Sequence, residues 1–542
     1  MRRMFATVRM PWVMVLAGWM LSPSVANAGI DAVRGAYESG QYFSAARMAF
    51  NDLSGLKSPG DRAKAYYWIT QSLVKAGLDQ SAIYFFASAL QLRDPTATRL
   101  TLELAPFFID RGGSDLIRKI LLKHTRSEDY SPRARNAYWY ALAKESLLKG
   151  DYAGAVQAAT QVSSNHPLYP VSLQFKGTAL AMQGRLDSAL AEFRACERSA
   201  DLRRQLDSGS PEAEIERDHP GVLLQRWRQL RQDAARDLAA RCIADQARVL
   251  YELKRFEDAD RLYDRIPKSS FVWTDTLFEH AWNTFAREEY NRTLGKLVSY
   301  KSPSLSFSLN SEIDILMAQS YMSLCLYDDA GRIIDDFSRK LGTLAKDVKA
   351  FVERNPSDAL PYYELGTSAL QDKLHTQRLI HRFLNRFVRS PVFQTLALTE
   401  DRVMAEKAAI ERLDAARPET RTGLDRGFPG FLNVMLDWRV RTIRMIGGVF
   451  VRNSMIDYHQ ILISDLEKMQ FMKIDILSHQ KRKLLEPDAA LGAERSRGNR
   501  IPVRRDDQLL WSFNGEFWND EIGDYVFALE SECGKDRGRN AK

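Results

Sequence analysis

Gly150-Asp151-Tyr152-Ala153-Gly154-Ala155 decides how this chain reads, because the same pattern returns along it at a nearly fixed interval. The pattern is a small residue, one variable residue, an aromatic or Leu, two variable residues and Ala. Gly40-x-Tyr42-x-x-Ala45 lies upstream, and Gly184-x-Leu186-x-x-Ala189 follows 34 residues after the Gly150 copy. Phe256-x-x-Ala259, Tyr290-x-x-Thr293 and Tyr327-x-x-Ala330 continue the series at steps of 34 and 37 residues. A period of this length is the signature of a stacked solenoid, in which each unit buries its apolar face only against its neighbours. Such chains bind other macromolecules along an extended surface far more often than they catalyse reactions.

The stretch from Asp61 to Leu92 shows why the unit is a pair of helices. Tyr66, Ile69 and Leu73 are spaced three and four apart, one face of a first helix. Gly77 interrupts where a helix should end. Ala82, Phe86 and Ala89 then mark one face of a second helix, with small residues for close approach and an aromatic to fill the space between units.

This arrangement resembles the tetratricopeptide repeat (TPR). The unit from Asn136 supplies Trp139, Leu142, Ala143, Gly150, Tyr152, Ala155, Ala159, Val162 and Pro167, and departs from the family pattern at Ser146. The next supplies Leu173, Gly177, Leu180, Gly184, Leu186, Ala189, Phe193 and Cys196. Later units match through Ala247, Leu250, Phe256 and Ala259, then Ala281 and Tyr290, then Tyr321, Tyr327, Ala330 and Phe337. The resemblance implies an all-α, TPR-type helix-turn-helix superhelix over residues 29–340. The period breaks twice. Asp94 to Tyr130, with Gly112-Gly113 at its centre, reads as a degenerate repeat. The polar stretch 198–221, containing Ser208-Gly209-Ser210-Pro211, reads as an inserted loop.

In the family, first helices line the inner face of the superhelix. By position, the groove candidates are Tyr67, Gln71, Tyr140, Lys144, Arg248, Tyr251, Phe278, Trp282 and Phe285. Aromatics with a few basic groups suit an extended peptide, since rigid rings contribute area at small entropic cost. Packing between adjacent helices is the competing use, most of all for Phe278, Trp282 and Phe285.

Residues 1–28 read as a secretory signal peptide: Arg2, Arg3 and Arg9, an uncharged apolar run from Pro11 to Leu21, then Val25-Ala26-Asn27-Ala28 as the cleavage site. The expected location is the periplasm. The chain carries a net +8; removing the three arginines leaves 74 basic against 69 acidic residues, a mild and dispersed +5 that does not read as a nucleic-acid footprint. The four cysteines fit no metal template. Cys196 and Cys325 fall in helical patterns and read as buried small hydrophobes, with a Cys196–Cys242 bridge as the alternative in an oxidising compartment.

Beyond Phe337 the period fades into a helical region, 341–485. Gly427-Phe428-Pro429-Gly430 punctuates the chain, and Gly447-Gly448 is the one candidate breaker between Phe431 and Leu485. Met455, Leu462, Met469 and Ile476 recur at seven. Asp465 and His479 spoil the complementary seam, so a long helix packed back on the chain is favoured over a free coiled-coil dimer. Asp437, Arg439, Arg441 and Arg444 argue against a membrane span between Phe428 and Val451. Residues 486–507 read as a charged linker, and 508–542 as an aromatic tail whose contact residues are Trp511, Phe517 and Trp518. Docking of that tail on the protein's own helices is favoured over anchoring elsewhere. Together with Cys325-x-Tyr327-Asp328-x-Ala330, the run Phe513-Asn514-Gly515-Glu516-Phe517-Trp518-Asn519-Asp520-Glu521-Ile522-Gly523 looks like periplasmic repeat proteins of deltaproteobacteria, some of which belong to gliding-motility machinery.

No G-x-S-x-G, phosphate-binding loop or H-E-x-x-H occurs in the sequence. His375 and His381, six apart, fall on different helical faces. Glu516, Asp520 and Glu521 beside Trp518 could serve glycan hydrolysis, but read better as acids in the first turn of a solvated helix. The expectation is a non-enzymatic envelope scaffold with protein partners and no cofactor. A peptidoglycan-binding or outer-membrane assembly factor is the first rival, and a cell-wall hydrolase the second.

Overall fold

The computed structural model describes residues 29–109, 114–207, 222–305, 309–371, 379–415, 427–485, 515–518 and 520–533. Among the described residues there are 21 α-helices and no strand, so the fold is all-α. The signal peptide, Gly112-Gly113, Ser208 to Gly221, His375, Ala416-Arg417-Pro418, the 486–507 linker and Trp511 lie outside the described residues. The chain forms two compact units. Unit 1 takes the described residues up to Ala141 together with Asp401–Val440; unit 2 takes Leu142–Glu400 and the described residues from Arg441 onward.

The helix pairs come from a recurring local device. Seven turns, each between the first and second helix of a pair, carry one residue in the left-handed region: Gly40, Gly77, Gly150, Gly184, Lys254, Glu288 and Cys325. In each, the next N–H donates to the carbonyl five residues back. Asp151 to Ser146, Arg255 to Leu250 and Leu326 to Tyr321 are examples, each 2.9 Å. This closure satisfies a carbonyl that the helix end leaves unpaired. The next helix begins at once, and the Ala or Thr of its first turn (Ala45, Ala82, Ala155, Ala189, Ala259, Thr293, Ala330) is fully buried. The small side chain lets the two helices meet.

Unit 1 begins with α1 (Ile30–Glu38), α2 (Tyr42–Asp52), α3 (Pro59–Lys75) and α4 (Asp79–Gln91), each packed on its neighbour in sequence. Ser58 caps α3 ahead of Pro59, a pairing of cap and pre-set φ that starts helices well. The degenerate region resolves into three short helices, α5 (Pro95–Leu102), α6 (Ala105–Ile109) and α7 (Ser114–His124). Asp94 caps α5 with a 2.8 Å bond from the Ala97 N–H.

The boundary between the units falls within α8 (Arg135–Lys149), and unit 2 goes on with α9 (Tyr152–Thr160), α10 (Tyr169–Met182), α11 (Leu186–Asp207), α12 (Val222–Glu252), α13 (Phe256–Tyr263), α14 (Trp273–Ala286), α15 (Tyr290–Val298), α16 (Ser311–Ser323) and α17 (Tyr327–Arg354). Arg198 to Asp207 is therefore helical, not loop: α11 runs on through Asp207. Likewise α17 runs unbroken through residue 340, because Ile334, Phe337, Leu341, Leu344 and Val348 keep one face apolar and buried.

Then come α18 (Leu360–Gln371), α19 (Leu379–Val388), α20 (Pro391–Ala415) and α21 (Gly427–Leu485), the last 59 residues long. Gly427-Phe428-Pro429-Gly430 does not interrupt the chain but opens α21, where a proline in the first turn costs no hydrogen bond. Gly447-Gly448 does not break it either. A Cβ on Gly448 would sit 1.9 Å from the Ala359 carbonyl oxygen, and one on Gly447 2.6 Å from the Tyr363 ring. The pair exists to let α21 lie against α18.

The heptad residues of α21 pack within unit 2. Met455, Leu462, Met469 and Ile476 share a core with Phe337, Leu341, Tyr362, Phe383 and Phe387. The polar residues of the seam have partners of their own. Asp465, fully buried, accepts a 2.6 Å bond from the Ser311 hydroxyl. His479 stacks on Tyr327 at 5.1 Å.

Candidate protein-binding surfaces

The groove candidates come from the first helices of their pairs, and most are half-buried. In unit 1, Tyr67 stacks edge-on against Trp68 at 5.4 Å, and the Gln71 amide donates to the Tyr37 hydroxyl at 2.9 Å. Burial pushes the Tyr67 phenol above its ordinary pKa. Tyr140, also in unit 1, is half-buried on α8. Lys144, in unit 2, is half-buried too.

The unit 2 candidates hold more of their contacts internally. The Arg248 guanidinium forks onto Glu279 (2.9 and 2.8 Å) and reaches Asp245 at 2.8 Å. Burial works against its charge, but the two carboxylates outweigh it and raise its pKa. Arg248 thus ties α12 to α14 by a bidentate pair, the strong geometry for this ion pair. Tyr251 packs on Phe256 at 5.3 Å. Phe278, Trp282 and Phe285 form a ladder with ring separations of 6.5 and 5.6 Å, continued to Tyr290 at 5.4 Å. The ladder packs against the core of α14–α16, and its three rings are half-buried there.

Behind that ladder lies a buried polar cluster. His280 sits 2.6 Å from Asp260 and stacks on Tyr263 at 5.2 Å; Asp260 pairs with Arg287 at 3.0 Å. Burial pushes His280 below its ordinary pKa, with the nearby Lys296 adding to the effect. Burial also lowers Lys296, against the attraction of Asp264, Asp260 and Asp524. Burial disfavours the Asp260 charge, yet His280 holds its carboxyl well below the usual range. Tyr263 belongs to a repeat unit, but no motif joins Asp260, His280, Arg287 and Lys296, and the sequence gives no sign of them.

The tail is the other candidate surface, and it docks on unit 2. Ile522 is 3% exposed and joins the core of α14–α16, with Phe527 and Leu529 packed at its edge. Asn291, itself only 3% exposed, grips one residue of this segment, the strap formed by residues 520–533: its amide donates to the Leu529 carbonyl (3.1 Å) and accepts from the Leu529 N–H (3.0 Å). The Phe527 N–H donates to the Asn291 carbonyl at 3.0 Å, and the Gly523 N–H to the Ser299 hydroxyl at 2.9 Å. Lys268 reaches the Asp524 carboxylate at 2.8 Å. Of the expected contact residues, Phe517 packs on Tyr525 at 6.0 Å, while Trp518 is 51% exposed and points outward.

The strap ends in a covalent bond. Cys325 and Cys533 form a disulfide with Cα atoms 5.2 Å apart, and Cys196 and Cys242 form a second at 6.0 Å. This corrects the reading of Cys196 and Cys325 as buried small hydrophobes. Cys325 is not inside a helix but occupies the left-handed turn between α16 and α17, where its sulfur is presented to the strap.

Glu516, Asp520 and Glu521 are exposed, and Glu521 N–H bonds back to the Trp518 carbonyl at 3.1 Å in a turn. The helix start expected here does not form. No group of His, Cys, Asp and Glu suited to a metal ion occurs among the described residues. No helix among them is long and apolar enough to cross a membrane. No protein-family model matches the chain, and no curated protein matches it either.

Proposed function

We propose that this chain is an exported, non-enzymatic scaffold of the bacterial cell envelope, built of tetratricopeptide-like units that hold protein partners. The observation that carries the reading is the sevenfold recurrence of one turn geometry with one buried Ala or Thr behind it. Repetition of this kind yields an extended surface built for association. Half-buried aromatics on the first helices supply anchor residues for a partner. Pairing of all four cysteines supports an oxidising compartment, in keeping with the leader-like residues 1–28. Within the envelope, the tail's resemblance narrows the proposal to complexes of the gliding-motility kind.

Photocrosslinkers at Tyr140 and Tyr251 test this in cells. Discrete protein adducts are expected from both; adducts only to murein, or none, would refute the scaffold reading. A second reading, binding to peptidoglycan, is favoured by the outward Trp518, an aromatic platform of the kind sugars stack on. Cosedimentation with purified sacculi that is abolished by Trp518→Ala would establish it.

A further inference from the structure

The strap has the character of a bound ligand more than of a structural element. It contains no helix, and its polar contacts with α15 and with the turn after α16 run largely through its backbone. Besides the Asn291 and Ser299 bonds, the Glu532 N–H donates to the Leu324 carbonyl at 2.9 Å. Backbone recognition of an extended segment tolerates many sequences, with a few pockets setting preference. Here the preferences are an acid facing Lys268 and apolar residues three and five positions later, as Asp524, Phe527 and Leu529 display.

The receiving surface is cut to fit a backbone. Gly295 lies in the middle of α15, where glycine weakens a helix. A Cβ there would sit 1.8 Å from the Tyr525 carbonyl oxygen and 2.8 Å from the Val526 nitrogen. Asn291, one turn earlier, presents both halves of its amide to the N–H and carbonyl of a single residue, Leu529, as a neighbouring strand would. These residues stand on a second helix, apart from the first-helix positions named as the groove.

We propose that the surface formed by Asn291 and Gly295 of α15, Ser299 just after it and Leu324 just after α16, with Lys268 at its rim, is a binding site for an extended acidic-apolar segment of a partner protein. The chain's own residues 520–533 occupy it as an intramolecular ligand until the Cys325–Cys533 bond is opened. The inference rests on the reading of the chain as a protein-binding scaffold and adds a second, gated site to it. Opening consumes a dithiol. Its thiolate attacks the Cys533 sulfur and Cys325 leaves as a thiolate. The second thiol then resolves the mixed disulfide, leaving two cysteine thiols here and an oxidised donor. The strap stays tethered, so a competitor faces a local concentration of millimolar order.

The test compares oxidised wild-type chain with the full-length Cys325→Ser, Cys533→Ser variant, which keeps the Cys196–Cys242 bond. The probe is an isotopically heavy synthetic peptide of residues 515–532, at millimolar concentration. Hydrogen exchange is read at the chain's own Phe527 and Leu529 amides. In the variant, protection should fall about twofold or more on adding peptide, as expected for competition at matched effective concentration. Oxidised wild type should not respond, nor should the variant respond to a peptide carrying Phe527→Asp and Leu529→Asp. Protection unmoved by the peptide in the variant would overturn the proposal. So would protection lost before peptide is added with no heavy peptide then bound by native mass spectrometry, or an equal response in oxidised wild type. None of these outcomes depends on the crosslinking positions, so the two readings fail separately.

Discussion

The two units each take a segment from far along the chain, and they hold it by opposite means. Unit 1 buries the opening of α21 in a cluster of rings. Phe428 lies 5.0 Å from Phe50 and 5.6 Å from Phe43, and Phe431 lies 5.1 Å from Phe50 and 5.9 Å from Phe85. A second tie in unit 1 is a buried carboxyl group: Glu406 of α20 accepts bonds from the Gln80 and Ser81 N–H groups at 2.5 and 3.0 Å, and from the Ser81 hydroxyl. Unit 2 also buries Ile522 of its late segment, but adds a run of backbone hydrogen bonds and one disulfide. Ring burial has no chemical switch, whereas a sulfur pair can be opened by a thiol.

Opening the disulfide sharpens this contrast most. The Cys325→Ser, Cys533→Ser variant should lose up to about 5 kcal/mol from unit 2, because the bond closes a loop with a sequence separation of 208. Exchange protection in α2–α4 should stay unchanged; a matching loss there would break the distinction between the units.

The next effect belongs to Glu406. Burial pushes its carboxyl up to about 8, with the nearby Asp79 adding to the shift, against the bonds from Gln80 and Ser81. The folded state therefore holds a proton that the unfolded state releases near pH 4.5. Stability is full below that pH and falls as pH rises toward about 8, by up to about 4 kcal/mol. Denaturant midpoints of unit 1 should follow this slope, and Glu406→Gln should flatten it. A wild-type midpoint that rises over this range would contradict the assignment.

Phe428→Ala should cost about 3 kcal/mol by leaving a cavity among the rings, with unit 1 unfolding earlier in thermal melts. The smallest effect runs the other way. Lys254 and Glu288 are exposed and hold left-handed φ values of 58° and 61°. Glycine at either should add about 0.5–1 kcal/mol to unit 2, the relief of backbone strain exceeding the entropy cost. No gain in melting temperature would mean that the turn is less strained than its φ implies.

These details mark how far the sequence could be read. The repeat was legible because turn and packing leave residue signatures: Gly40, Gly77, Gly150 and Gly184 announce the left-handed position, and the buried Ala column announces the helix pair. At Lys254, Glu288 and Cys325 the same turn is made without glycine, and only the aromatic-x-x-small spacing betrays it. Cys325 was misplaced for that reason, and its pairing with Cys533 went unseen. The tail's docking could be favoured from its aromatic content, yet its grip could not, since Asn291 and Gly295 are ordinary letters until a backbone lies across them. Glu406 was invisible because Leu78, at the cap position of α4, offers no side-chain acceptor, and the residue that supplies one is more than 300 positions away. The first-helix groove was read by position alone. Arg248 shows the limit of that method, with its charge already bound to Glu279 and Asp245.

The Cys325–Cys533 bond also fixes how the molecule carries load. Tension applied between the early helices and the residues past Cys533 would pass straight from one sulfur to the other. The covalent backbone of residues 326–532 would be bypassed. Under such a load, a short-circuit of this kind would keep the docked segment from being peeled off α15.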